Sequence, residues 1–272
     1  MKKVLLFFIA VFVTVFSFAQ EQNVGELVEK ANAAVESKDY EKAVELFESV
    51  LAIPDHGQDA EKINNVLSQL KPIVAQSKAS DAIGAKNYEK AVELYKAAME
   101  EFPNDKNSIA DAAGVSFYNE GIKNYKSEEY LGAAKCFTIS EKEFNNDKSE
   151  KFKKGSLNKV AEGLAAEGKT EVGDVDLSEE NKSLLAESLA NVYVKEGNEL
   201  YKSGTAILIA ANEKISAGSL TTADEAYTKE VEKTKVELKK ALEVLEKAKA
   251  LDASNANAKT LLDACNAQLS AL

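Results

Sequence analysis

Histidine, cysteine, proline and tryptophan are scarce: among 272 residues there are one, two, three and none of them, respectively. The single histidine, His56, follows Pro54 in a predicted loop, where we expect it to be solvated. One histidine without a cysteine pair excludes the usual zinc ligand sets, and no local signature of a Ser/His/Asp triad surrounds it. No glycine-rich phosphate loop of the required spacing occurs either. We therefore expect no catalytic residues, no metal and no cofactor, and a protein that is not an enzyme.

One acidic stretch begins like a calcium-binding loop. Asp174, Asp176 and Ser178 have the right spacing for the first ligands. The loop also requires a glycine at its sixth position and a glutamate at its twelfth, where this chain has Glu179 and Leu185. We interpret the stretch as an acidic loop that caps the following helix.

The two cysteines, Cys136 and Cys265, lie 129 positions apart, each among apolar residues at helical spacing. An exported compartment would permit a disulfide. Residues this distant usually belong to non-adjacent layers of a repeat protein. We expect two buried free thiols, with a disulfide as the alternative.

The charge balance limits the possible partners. The formal net charge is −11, with few basic clusters. Such a chain is poorly suited to nucleic acid or to an anionic membrane surface. The abundance of Ala, Glu, Lys and Leu, with so few prolines, predicts a mostly helical protein.

The N-terminus has the three parts of a secretory signal peptide. Met1–Lys3 is basic, Val4–Phe16 is apolar, and Ser17–Ala19 supplies small residues before Gln20. The apolar run is shorter than the ~20 residues of a spanning helix, which disfavours an uncleaved anchor. No cysteine follows that could carry a lipid. We expect a signal peptide at residues 1–19, no integral membrane segment after cleavage, and a periplasmic or secreted protein.

An internal repeat organises the remaining chain. Residues 38–51 and 86–99 are identical at eight of fourteen positions, and each begins with a turn followed by an amphipathic helix. The pattern of an aromatic residue, an alanine three later and an aromatic four after that occurs three times: Tyr40/Ala43/Phe47, Tyr88/Ala91/Tyr95 and Tyr130/Ala133/Phe137. Pro54 and Pro103 follow the helices that carry the first two of these patterns and end them. Each preceding helix has an apolar residue, a small residue four positions later and a third residue three positions after that. The three sets are Leu27/Ala31/Ala34, Ala75/Ala79/Ala82 and Phe117/Gly121/Asn124.

These patterns resemble the tetratricopeptide repeat, a helix–turn–helix unit of ~34 residues. The resemblance implies an all-α, right-handed superhelical solenoid of antiparallel helix hairpins. The first tyrosines of the three patterns are spaced by 48 and 42 residues, longer than the family's period, which indicates longer or additional helices. The superhelix curvature therefore cannot be taken from the family.

The expected layout is a single tetratricopeptide-like helical domain, residues 20–272. Its repeats lie at about 24–54, 72–105, 114–145 and 178–252. We expect Pro72 either to kink a long helix or to begin a new one. Helix 148–167 and loop 168–177 precede the last repeat, which is elongated by an inserted arm at 204–236. The arm reverses at Ser216–Ser219, Thr222 and Glu225 are predicted to form a capping box, and helix 255–270 caps the C-terminal end.

In the resembled family, the first helices of successive repeats line a groove that binds a peptide or a partner protein. Mapped by helix spacing, the residues facing such a groove are Asn32, Gln76, Ser80, Tyr118, Asn119, Ile122, Tyr125, Asn198, Tyr201 and Lys202. Packing between repeats is the alternative role for the tyrosines. The family's carboxylate clamp is not supported, because Lys202 is nearly the only basic residue in the set.

The arm is a second candidate surface. Its apolar residues exceed what two antiparallel helices need to cover each other; they are Ile207, Leu208, Ile209, Ile215, Tyr227 and Val231. A spare apolar stripe indicates docking or self-association, and folding back onto the body is the alternative. The sequence predicts a protein–protein interaction scaffold of the cell envelope whose partner is an unidentified protein or peptide. The alternative is a structural, self-associating protein that forms a homo-oligomer through the arm.

Overall fold

The computed structural model describes residues 19–54 and 56–272, with side chains from Val24 onward. This part of the chain forms ten α-helices and no strands. The predicted signal peptide lies outside the described residues, apart from Ala19. The helices are α1 (Ala19–Glu36), α2 (Tyr40–Leu51), α3 (Ala60–Gly84), α4 (Tyr88–Glu101), α5 (Lys106–Lys126), α6 (Tyr130–Lys142), α7 (Ser149–Ala166), α8 (Glu179–Ser216), α9 (Glu225–Leu251) and α10 (Ala256–Ala271).

The helices form two compact units, the first ending at Ala113 and the second running from Gly114 to Leu272. In the first unit, α1 packs on α2, α2 on α3, and α3 on α4. The repeated turns are alike: Lys38 and Lys86 have φ values of 64° and 59°. The Asp39 and Asn87 side chains then accept a backbone N–H from the first turn of α2 and α4. A left-handed residue followed by an N-cap reverses the chain within three residues, so the paired helices are antiparallel.

The repeat alanines and aromatics form the core of the first unit. Ala31, Ala43 and Ala91 are fully buried, and Phe47 and Tyr95 nearly so. An alanine at these positions lets two helices approach, which a larger side chain would prevent.

Pro72 lies inside α3, which is continuous from Ala60 to Gly84. Of the two predicted outcomes, the start of a new helix at Pro72 is therefore wrong. The Pro72 side chain is buried. An interior proline normally costs a helix about 3 kcal/mol, which this burial helps to offset.

The second unit starts with the α5/α6 hairpin, where Gly121 faces the ring of Phe137. Helix α7 packs on α6 and on α8. A shared cluster of buried apolar residues includes Leu157 of α7 together with Leu185 and Leu189 of α8. The loop between α7 and α8 is folded against this cluster through Val172, Val175 and Leu177.

Helix α8 continues through Ser203–Gly204 and packs along α9. Gly197, Gly204 and Ala211 recur every seven residues of α8 and are all buried. A Cβ at Gly197 would lie 2.6 Å from Leu245, and one at Gly204 would lie 3.3 Å from Glu237. The small residues therefore allow the two helices to pack closely, both in the body and in the predicted arm.

The predicted reversal at 216–219 is present, with Gly218 at a φ of 71°. The predicted capping box of Thr222 and Glu225 is wrong. Asp224 is the N-cap residue of α9, and its carboxylate accepts the backbone N–H of Thr221 instead of one within the helix. Asp224 thus caps the preceding turn, so Thr222 has no capping role. Helix α10 packs on α9 and α8, and its Leu262 and Cys265 form a buried cluster with Leu238 and Leu245 of α9.

Both cysteines are free and buried. Burial raises the pKa of the Cys265 thiol. Among the described helices, none is long and apolar enough to cross a membrane.

Candidate functional site

Helix α5 carries a second apolar stripe beside its buried one. Its buried stripe includes Phe117, Gly121 and Asn124. The second stripe, Val115, Tyr118, Ile122 and Tyr125, is rotated by roughly a third of a turn and has spacings of three, four and three residues. Val115 is 53% exposed, and the other three are partly exposed.

Phe152 of α7 extends this stripe onto a neighbouring helix. Its ring lies 5.5 Å from that of Tyr118 in an edge-on contact and 5.5 Å from that of Phe137. Phe152 is nevertheless 37% exposed. The aromatic residues of α5 and α7 therefore share a surface within the second unit.

The sequence analysis did not single out Phe152 as a candidate surface residue. The buried positions of α7 include Ser149, Lys153, Ser156, Leu157 and Ala161. At 3.6 residues per turn, Phe152 lies about 40° from Ser156 and about 60° from Ser149. Its register alone therefore does not distinguish it from the buried side of the helix.

Two glycines occupy the same side of α7 as Phe152. Gly155 and Gly163 follow it by three and eleven positions. A Cβ at either would meet no neighbouring heavy atom within 4 Å. A glycine inside a helix costs roughly 0.5–1 kcal/mol relative to alanine, and no packing contact explains that cost at these two positions.

Lysines border this part of the surface. No carboxylate among the described residues lies within ion-pair distance of Lys148 or Lys151, and both are exposed. Lys159, between the two glycines, is paired with Glu162 at 2.6 Å. The hydrogen bond to Glu162 raises the pKa of Lys159, with smaller contributions from nearby Tyr125 and Tyr130.

We call this surface the α5/α7 face. Its members are Val115, Tyr118, Asn119, Ile122, Tyr125, Lys148, Lys151, Phe152, Gly155, Lys159 and Gly163. Of the four predicted groove residues on α5, the structure places Tyr118 against Phe152 of α7 and Tyr125 near Lys159. Tyr125 also packs edge-on against Tyr130, with 5.3 Å between ring centroids, and Tyr118 packs against Phe137. Both tyrosines therefore have a packing role as well.

Three predicted groove residues lie in the first unit. Asn32 lines a cavity of about 50 Å³ together with residues at the start of α3, among them Asp59 and Lys62. The Gln76 side chain donates to the carbonyl of Pro72 in its own helix. The exposed Ser80 shares a hydrogen bond of 3.1 Å with the hydroxyl of Tyr95.

The remaining three lie on α8. Tyr201 packs against the cluster formed by α9 and α10, whereas Lys202 is exposed and Asn198 partly so. The predicted residues thus fall into separate groups within their units: Gln76 and Ser80 lie one turn apart on α3, four lie on α5 and three on α8. A binding role for the other predicted residues remains a prediction.

The arm has an open groove of about 840 Å³ between its two helices. Ile207 and Val236 are its apolar residues, and Glu225, Lys229, Glu232 and Lys233 are among those that border it. Val236 is 50% exposed, and Ile209, elsewhere on the arm, is 53% exposed. The other apolar residues singled out from the sequence are partly buried: Leu208, Ile215, Tyr227 and Val231.

The described residues contain no group of three or more His, Cys, Asp or Glu side chains placed to hold a metal ion. Asp176, from the loop with calcium-like spacing, pairs with Lys135. That pairing lowers the pKa of the Asp176 carboxyl.

Helix hairpins joined by left-handed turns, with buried alanine and aromatic residues at the repeat positions, define an all-helical protein of tetratricopeptide-like architecture. The chain shows similarity to the crystal structure of a tetratricopeptide-repeat protein from Bacteroides fragilis. The two are 19% identical, the match covers 90% of this chain and 98% of the other, and the TM-score is 0.30. No protein-family model matches the sequence. No curated protein matches it either.

Proposed function

We propose that this protein is a non-enzymatic interaction scaffold that binds a partner protein or peptide through the α5/α7 face. The observation that carries the proposal is the second apolar stripe of α5, which continues onto Phe152 and remains partly exposed. Aromatic side chains are typical anchors of protein interfaces, because they give a large contact area for little lost conformational entropy.

The glycines support the same proposal. Helical positions without side chains allow the main chain of a ligand to approach the helix closely. Gly155 and Gly163 would leave such a track beside Phe152 and Tyr125, and Asn119 could pair with amide groups of a peptide.

The test needs substitutions that change the surface without disturbing the packing beneath it. Val115→Gln and Gly155→Ala meet this requirement, because Val115 is exposed and Gly155 has open space around it. Partners would be identified by cross-linking in the native cell, followed by mass spectrometry. We expect both variants to lose the partner that the unmodified protein captures.

Val236→Gln is the matched control, because Val236 is similarly exposed but lies on the arm. Circular dichroism and thermal unfolding would show that each variant is folded. Unchanged capture by folded Val115→Gln and Gly155→Ala proteins would overturn the assignment to this face.

The place of action in this proposal is the cell envelope or the extracellular medium, which rests on the signal-like sequence of residues 1–19. Cell fractionation and N-terminal sequencing of the accumulated protein test it. A chain that begins at Gln20 outside the cytoplasm is expected, and a cytoplasmic chain that retains Met1–Ala19 would refute it.

Self-association through the arm is the second candidate. It is favoured by the groove beside Ile207 and Val236 and by the exposure of Ile209. An oligomer should dissociate in the Ile209→Lys/Val236→Lys variant, as measured by sedimentation velocity. If the unmodified protein is a monomer throughout the micromolar range, this candidate fails.

A further inference from the structure

Resting on the proposed function, we propose that the partner segment bound at the α5/α7 face is an acidic peptide segment that carries at least one large apolar side chain. The apolar residue would lie against Val115, Tyr118 and Phe152. Its neighbouring carboxylates would pair with Lys148 and Lys151, while its main chain passes over Gly155.

The positions of the lysines support a negatively charged ligand. Lys148 precedes Phe152 by four positions and therefore lies on the same side of α7, and Lys151 is its immediate neighbour. Lys159, the other lysine of this face, is paired with Glu162, and Lys123 and Lys154, elsewhere on the two helices, are paired with Glu120 and Glu150. Lys148 and Lys151 are thus left with unneutralised positive charge beside exposed aromatic and apolar side chains.

The positive charge of these two lysines differs in sign from the net charge of the whole chain. With a formal net charge of −11, the protein as a whole repels acidic ligands. Lys148 and Lys151, which form no ion pair among the described residues, would instead attract an acidic ligand to the apolar stripe. Complementary charge at an interface selects the partner and speeds association more than it adds affinity. A basic segment would instead meet like charge at Lys148 and Lys151.

Synthetic peptides can test the chemistry directly. Fluorescence anisotropy with the purified protein would compare three labelled 15-residue peptides: one of alternating glutamate and leucine with a central phenylalanine, its lysine counterpart, and a glutamate–serine peptide without apolar residues. We expect only the first to bind, and its binding to weaken as salt is raised.

Charge reversal identifies the lysines responsible. Lys148→Glu/Lys151→Glu should weaken binding of the acidic apolar peptide by about tenfold or more, because each reversal replaces an attraction by a repulsion. Lys239→Glu/Lys259→Glu is the matched control: it makes the same change in net charge at two exposed lysines on α9 and α10. We expect less than about a twofold effect from it, since the substitutions lie outside the face.

The outcomes separate this inference from the proposal on which it rests. If the lysine peptide binds as well as the acidic one, or the two charge-reversed variants behave alike, the acidic assignment is overturned. The proposed function would then still stand provided that Val115→Gln abolishes partner capture. Failure of the acidic apolar peptide to bind at all would also overturn the inference. Equal competition by a single-stranded oligonucleotide of matched charge would show that the face selects polyanions and not acidic proteins.

Discussion

Gly121 lies so close to the ring of Phe137 that a Cβ on it would fall 2.7 Å from the ring's Cε1 atom. Gly197 has the same relationship to Leu245, at 2.6 Å from Cγ. Both partners are fully buried. At these two places the distance between packed helices depends on the absence of a single methyl group.

We expect Gly121→Ala and Gly197→Ala each to lower the free energy of unfolding by about 1–3 kcal/mol, because the added methyl group overpacks a closed interface. Gly163→Ala is the control in the same unit, with open space at the new Cβ. It should raise the free energy of unfolding by about 0.5–1 kcal/mol, since alanine favours the helix. Urea unfolding measures all three, and equal effects would contradict the packing explanation.

A buried ion pair joins α6 and α7. The ammonium group of Lys153, whose side chain is 3% exposed, lies 2.6 Å from a carboxylate oxygen of Glu141. Lys153→Met removes one partner and should lower the free energy of unfolding by about 1–3 kcal/mol, because it leaves the partly exposed Glu141 carboxylate without its charge partner. The Lys153→Met/Glu141→Leu double variant should recover most of that loss. Chemical unfolding measures both, and a double variant no more stable than Lys153→Met would argue against this account.

Tyr193 fixes the loop that precedes α8. Its hydroxyl donates a hydrogen bond of 2.5 Å to the carbonyl of Lys169. In Tyr193→Phe we expect a loss of about 0.5–1.5 kcal/mol and faster tryptic cleavage at Lys169 than in the unmodified protein. Unaltered cleavage would show that Val172, Val175 and Leu177 hold the loop without the tyrosine.

The raised pKa of Tyr193 predicts that the stability of the protein depends on pH. Burial raises the pKa of Tyr193, with Glu196 contributing. The folded state therefore retains the phenol proton at pH values where the unfolded chain, with a pKa of about 10, has lost it. This contribution to stability is present below the unfolded pKa and is lost as the pH rises from there through the folded pKa. Tyr193→Phe should remove that part of the decline, as followed by unfolding between pH 8 and 11.

The cysteines provide a further test of the packing. Both thiols are buried, and burial raises the pKa of Cys265. A thiol reagent at pH 8 should therefore modify neither cysteine in the folded protein and both after denaturation without reductant. Modification of neither after denaturation would indicate a disulfide.

The repeat hairpins were predictable because each is specified locally. A turn, a tyrosine, an alanine and a second aromatic follow at fixed spacing, and α2, α4 and α6 start at Tyr40, Tyr88 and Tyr130 as predicted. The continuation of α8 and the length of the arm could also be predicted from the helix-compatible residues after Gly204.

Other features depend on contacts between distant segments. The close helix packing at Gly204 depends on α9, because Glu237 and Leu238 of that helix lie against the glycine. The exposure of Phe152 and its place beside Tyr118 depend on how α7 packs on the preceding hairpin. The capping box failed because α9 begins at Glu225, with Asp224 as its N-cap residue, so Glu225 does not lie three residues after the N-cap.

Helix α8 belongs both to the body of the second unit and to the arm. Its 38 residues, at 1.5 Å each, make a rod about 57 Å long. Bending such a rod would break backbone hydrogen bonds, so a pull on the tip near Ser216 is carried along it. Tyr193 and Gly197 lie near the middle of this helix, and Tyr193 holds the preceding loop through the carbonyl of Lys169. One continuous helix therefore connects the tip of the arm to the residue that holds the loop beside α7.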